Sequence, residues 1–201
     1  MSVIRRMTLR MSDLLEVFNL GLAEFGKRVR RVGADQWTTS TPCSEWDVRT
    51  LVDHVIDEQV WAPPLMAGHE LEPSAAMVES AKRALGDDRV AAWDTAALAS
   101  SRAFGEPGAL DRPVSLSRGA TPATEYLGEM AFDLVIHSWD LGTAIGVTDP
   151  LPDELVQFGL SAGEQMGGDL SFSGVFEAPV PVADDAPAED RLIALTGRHP
   201  R

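Results

Sequence analysis

The chain has 201 residues, 44% of them hydrophobic, enough to bury one sizeable core. Its 17 basic residues against 31 acidic give a net charge of −14, which repels nucleic acid and anionic membrane and argues against both as partners. The single cysteine, Cys43, rules out an intrachain disulfide and any C-x-x-C motif, and fits a reducing compartment. No apolar run of signal-peptide length follows the first arginines, and none approaches the roughly 18 residues of a membrane span. A cytoplasmic location is expected.

Helical spacing begins at Met11. Leu14, Leu15, Phe18, Leu22, Phe25 and Val29 recur at three and four, with Ser12 or Asp13 as the cap and Gly33 after the end. The turn-rich DQWTTSTPC follows. Ser44 and Asp47 then form an S-x-x-D start for a second helix carrying Trp46, Val48, Leu51, Val52, Val55 and Ile56. Glu58 to Trp61 extend it, and Pro63-Pro64 are expected to kink or end it. After a loop at 70–73, residues 75–85 and 89–104 are expected to be helical, with Gly86-Asp87-Asp88 as the break between them. The Gly- and Pro-rich stretch from 105 to 122 allows one short extended piece at 113–116.

The next stretch, Glu125 to Gly146, is the row that organises the chain. It reads as one long helix capped by Thr121 or Thr124, with Leu127, Met130, Leu134, Ile136, Leu141 and Ile145 as its burying surface. Each residue turns by about 100°, so Asp133 and His137, four apart, can reach one point beside the helix. Glu129 lies one turn before them and Asp140 about one turn after. Charged groups among such residues need a partner or a metal; without a third ligand elsewhere, Asp133 and His137 read as a surface Asp–His pair. Asp149-Pro150-Leu151-Pro152 marks a boundary, and 152–166 gives another helix. From 172 to 182 the chain is expected to run as an extended arm, with a last short helix at 190–195.

His54 sits mid-helix between Leu51 and Val55, with Glu58 one turn on. Two of the four histidines, His54 and His137, thus lie in amphipathic helices beside carboxylates. Several long helices suggest a four-helix bundle, and bundles build metal sites from inward-facing side chains. Two imidazoles and one carboxylate leave coordination positions open, as at a catalytic centre. The set suits zinc, and also non-haem iron or nickel. Glu58 is either a proton acceptor or a solvated helix carboxylate. Asp140 either stabilises the helix or orients His137. Trp61 and Trp139 either line a pocket or pack in the core, and Cys43, which precedes a helix start that would favour a thiolate, reads first as a packing residue.

TPCSEWDVRTLVDHVIDEQ resembles the T-P-C-x-x-W-x-V-x-x-L-x-x-H segment of the DinB-like metalloprotein superfamily, and FDLVIHSWDLGTAIG resembles its H-x-W-D-L segment. The tail PVPVADDAPAEDRLIALTGRHP fits the actinobacterial branch related to the N-terminal domain of mycothiol-dependent maleylpyruvate isomerase. The resemblance implies an all-α fold: an antiparallel four-helix bundle, with a C-terminal extended arm and short helix. Residues 1–168 are expected to form the metal-binding bundle and 169–201 the arm packed on it. It also implies one divalent metal, zinc or nickel, with the ligand role carried onto His54 and His137. The remaining ligand, a histidine in many members and a glutamate in the isomerase, falls on Asp133. Aspartate is one methylene shorter, which leaves room for Glu58 or Glu129 to complete the shell. The isomerase has a second domain that this chain is expected almost entirely to lack.

The expected function is a metal-dependent transferase or isomerase of a low-molecular-weight thiol, mycothiol in an actinobacterial host, with an electrophilic second substrate. His54, Asp133 and His137 as metal ligands and Glu58 as the catalytic residue would carry it. A non-catalytic metal-binding or sensor bundle and a metal-assisted hydrolase are the alternatives, and a homodimer is left open.

Overall fold

The computed structural model describes residues 11–165, 170 and 176–201. Met166, the side chain of Ser12, and the start of the expected arm at 172–175 lie outside the described residues. The elements in chain order are α1 (Met11–Val29), α2 (Val48–Met66), α3 (Leu71–Leu85), α4 (Arg89–Gly105), β1 (Pro113–Leu116), β2 (Gly119–Pro122), α5 (Ala123–Ala144), α6 (Asp153–Gln165) and α7 (Ala188–Leu195). A short 3₁₀ turn at Ala109–Asp111 precedes β1.

Four of these helices close a ring: α1 packs on α5, α5 on α2, α2 on α4, and α4 on α1. This is the all-α, DinB-like four-helix bundle that the sequence leads one to expect. The α1–α5 seam is close because small residues face it. A Cβ built on Gly21 would lie 3.2 Å from Leu134 Cβ, and one on Gly142 would lie 2.8 Å from Arg28 Nε. The apolar rows expected for the first and fifth helices are largely buried, from Phe18, Phe25 and Val29 to Leu127, Leu134, Ile136 and Leu141. Because α1, α2 and α6 all cover α5, its other faces are buried too, including Ser138 and Asp140.

Several boundaries differ from the sequence expectation, each for a local reason. The helix α2 runs through Pro63 and Pro64 to Met66. Each proline removes one ladder N–H, but both stand in the last turn, and burial of Ala62, Pro64, Leu65 and Met66 offsets the loss. Residues 71–73 belong to α3 rather than to a loop, since Pro73 falls in the first turn, where its missing N–H is not needed. Asp47 alone caps α2, its carboxylate accepting from Thr50 N at 2.8 Å and Thr50 Oγ1 at 2.7 Å. No threonine caps α5: Pro122 holds the cap position, and Thr121 is instead paired with Val114 in a hairpin. That hairpin supplies β2, a strand the glycine in GATP had concealed.

The C-terminal segment packs on the bundle. Leu192 and Ile193 of α7 are fully buried, and a Cβ on Gly159 of α6 would meet Leu192 at 2.8 Å. Val180 N donates to Ala194 O at 3.0 Å, and the ring of Phe176 meets Phe132 edge-on at 5.8 Å. This anchoring carries the residues after α7 back across α5.

Candidate metal centre

The site forms where α2 and α5 face each other. One helical turn sets His54 and Glu58 on the same side of α2, and another sets Asp133 and His137 on the same side of α5. His137 Nε2 lies 3.2 Å from Asp133 Oδ2, and His54 Nε2 lies 3.7 Å from the same oxygen and 3.7 Å from Glu58 Oε1. One ligand atom each from His54, Asp133 and His137 falls within 4.8 Å of the others. The two imidazoles meet at 5.3 Å and 82°, so their nitrogens can converge without the rings stacking. Exposure falls from 34% at the His54 side chain to 7% at His137, so the cluster opens to solvent on the α2 side.

Local folding of the 39–47 loop roofs this cluster. Thr41 N donates to Trp46 O at 3.0 Å, and the Thr41 hydroxyl donates to the same oxygen at 2.9 Å. Trp46 N in turn donates to Cys43 O at 2.9 Å. The turn lays the Trp46 indole on His54 at 4.6 Å and on His137 at 5.7 Å. The same turn sends the Cys43 thiol inward to donate to Asp140 Oδ2 at 3.3 Å.

Behind His137 stands a second set of contacts. Its Nδ1 lies 3.0 Å from Asp140 Oδ2. Arg198, beyond α7, grips that carboxylate with Nε to Oδ1 at 2.7 Å and Nη2 to Oδ2 at 2.8 Å. Asp140 is fully buried, and burial alone would raise its pKa. The bonds from His137 and Arg198 outweigh that and hold it below the usual carboxylate value, so it stays an acceptor. An Nδ1–H donated to Asp140 leaves Nε2 as the lone-pair nitrogen facing Asp133 and His54.

The front carboxylates are in tension. Burial would raise Asp133, but the two histidines and Glu58 bring it down to about 2. Burial, and then the charge of Asp133, push Glu58 well above the usual glutamate value. Buried Asp133 Oδ2 and Glu58 Oε2 have no hydrogen-bond partner. Acceptor atoms left without donors beside two imidazoles are what a cation would satisfy, so the residues present fit a divalent metal. Glu129 does not join them: it pairs with Arg118 at 2.7 Å on the surface. Trp139 packs under Arg201 at 5.2 Å, and Trp61 packs against the core. His69 and His199 are exposed outside the helices. Beside His54, a cleft of about 570 Å³ runs between α2 and the α3–α4 pair. Its walls carry two ion pairs, Lys82 with Asp57 at 2.7 Å and Arg89 with Asp53 at 2.5 Å.

The sequence profile of the mycothiol maleylpyruvate isomerase N-terminal domain matches residues 18–142, more than half of the chain. The chain belongs to this family. Two relatives from Mycobacterium tuberculosis, the uncharacterized proteins Rv0738 of strain H37Rv and MT0763 of strain CDC 1551, are each 32% identical over 181 residues. Each alignment covers 87% of this chain and 91% of the relative. The crystal structure of the mycothiol-dependent maleylpyruvate isomerase superposes with a TM-score of 0.58 at 18% identity. A histidine-to-alanine mutant of it superposes with 0.59 at 17%. Both cover 77% of this chain and 69% of the other, which establishes a shared fold. In this member of the isomerase N-terminal domain family, the matched stretch holds Cys43, Trp46, His54, Glu58, Asp133, His137 and Asp140. Arg198 lies beyond it, and nothing in the spacing of the sequence ties it to Asp140. Trp46 carried a signal, the T-P-C-x-x-W segment, but read as an apolar helix residue.

Proposed function

We propose that His54, Asp133 and His137 bind one divalent metal ion, zinc or nickel, and that the protein is a metal-dependent transferase or isomerase acting on a low-molecular-weight thiol of the mycothiol type. The observation that carries this is the convergence of one nitrogen each from His54 and His137 on a buried Asp133 oxygen. Kinship with the mycothiol maleylpyruvate isomerase N-terminal domain family supports the thiol. When bound, such an ion favours a thiol as its thiolate at neutral pH.

The chain's own groups have separate tasks. Asp140 fixes the tautomer and plane of His137. Trp46 roofs the two imidazoles on one side and leaves the α2 side open. Glu58, which burial makes a stronger base, is placed to accept the thiol proton once a bound cation has ionised it. The cleft beside His54, with paired charges on both walls, is where the body of a polar thiol or its electrophilic partner would lie. The bundle, residues 1–168, carries the ligands, and the arm, 169–201, supports them. Among the described residues no helix is long and apolar enough to cross a membrane, and a lone cysteine suits the cytoplasm.

Thiol added to the cobalt-loaded protein should produce a thiolate-to-cobalt charge-transfer band, saturating at one thiol per ion. An unchanged spectrum at saturating thiol would sink the thiol reading. The fold itself should not need the ion, because the bundle has its own apolar core. Chelation should leave the far-ultraviolet helical signal intact and lower the melting temperature by linkage alone, about 2.7 kcal/mol for metal at 100 times Kd. Loss of most helical signal at 25 °C would contradict this.

A further inference from the structure

His137 has an acceptor-rich cluster on each side of its ring, and the two are alternatives. On the Nε2 side stand Asp133 and His54. On the Nδ1 side stand Asp140 and Cys43, and one ligand atom each from Cys43, His137 and Asp140 also falls within 4.8 Å of the others. A metal-bound imidazole commits one nitrogen to the ion and uses the other as a donor. The Nδ1 side offers sulfur, nitrogen and oxygen, a set that zinc and cobalt accept readily. Ligand chemistry alone therefore does not choose the front of the ring.

Arg198 makes the difference. Its Nε and Nη2 donate to both oxygens of Asp140, and Nη2 also lies 3.2 Å from Cys43 Sγ. The guanidinium is held in turn by Nη1 donating to Thr196 O at 3.2 Å and by the Phe176 ring at 5.8 Å. A planar cation that stays charged at any working pH thus lies across the two outer donors of the rear cluster. Its positive charge already engages two of the three groups that a rear-bound ion would need.

We propose that Arg198 is a positioning residue: its guanidinium fills the Cys43–His137–Asp140 cluster as a resident cation and so directs the metal to the Nε2 side of His137. With Arg198 in place, Asp140 remains an acceptor for Nδ1–H and Cys43 stays out of the coordination sphere. Without it, Cys43 and Asp140 become ligands in competition with Asp133 and His54. This rests on the metal-binding reading above, though not on the thiol chemistry.

The test is the absorption of the cobalt-loaded full chain with no thiol added. Wild type should show no thiolate-to-cobalt band. Arg198→Ala should acquire one, and Arg198→Ala/Cys43→Ser should lose it again. Arg198→Lys, which keeps a cation, should stay silent like wild type. Arg198→Gln, which keeps donors but not charge, should show the band even if the alanine variant does not fold. A band already present in wild type overturns the proposal, as does a silent spectrum in folded, cobalt-bound Arg198→Ala or Arg198→Gln. Failure of wild type itself to bind cobalt would overturn the parent metal reading and this proposal with it.

Discussion

His54→Ala and His137→Ala should each abolish stoichiometric metal in the purified protein. The two imidazoles come from different helices, α2 and α5, and neither has a spare nitrogen ligand nearby to replace it. Losing an outer partner of a ligand typically costs about 10- to 100-fold in affinity, and losing a ligand should cost more. Asp133→Ala should weaken binding less, because Glu58 stands one helical turn from His54 and has a buried oxygen without a partner. Metal content by elemental analysis and affinity by competition with a chromophoric chelator would check all three. Full metal content at normal affinity in either histidine variant would show that the ion binds elsewhere.

A second large effect is expected from pH. Burial opposes the His137 imidazolium, but Asp133, Asp140 and Cys43 outweigh it and lift its pKa well above the usual histidine value. In metal-free protein His137 therefore keeps its proton above about pH 6.5, where an unshifted histidine has mostly lost it. That proton sits on the ring that must bind the ion, so protons and metal compete there. Apparent affinity should already be falling as pH drops toward about 6.5, and it should continue to fall steeply below. Glu58, raised by burial and by Asp133, adds to that competition toward the acid end of the range. Asp133, held at about 2, stays ionised throughout. The sign for stability is opposite to that for binding. The raised His137 contributes stability to the metal-free fold that is fully present below its unfolded value and is lost as pH rises through the folded one. Chelated protein should thus lose stability on the alkaline side, where the loaded protein gains affinity. Competition titrations and melting curves from about pH 5 to 8.5 would measure both. An affinity that does not change over that range would remove His137 from the ligand set.

How much of this was legible in the sequence depends on the distance over which each contact acts. Asp133 and His137 could be paired from spacing alone, because helix geometry puts residues four apart on one side. The apolar rows of α1 and α5 were legible for the same reason. His54 could be placed on a helix, but its facing toward Asp133 rested on the bundle architecture and the family resemblance, since spacing within α2 says nothing about α5. Glu129 looked equivalent to Glu58 by sequence and separated from it only when Arg118, on the hairpin turn, drew it to the surface. Pro63 and Pro64 misled because propensity weighs a proline without knowing that its turn will be buried. Arg198 was not legible at all. It lies 58 residues from Asp140, in a short run with no period, and its contact exists only once α7 has docked.

That docking gives the C-terminal arm a thermodynamic role beyond packing. A buried carboxylate on α5 links two equilibria, closure of the arm over the bundle and occupancy of the site. Coupling of this kind is reciprocal: whatever factor the closed arm adds to ion affinity, the bound ion must add to the closed arm. In the chelation experiment, then, loosening should begin at α7 and at Arg198 rather than in the helices that supply the ligands. The part of the chain furthest in sequence from both ligand helices would report most directly whether the ion is present.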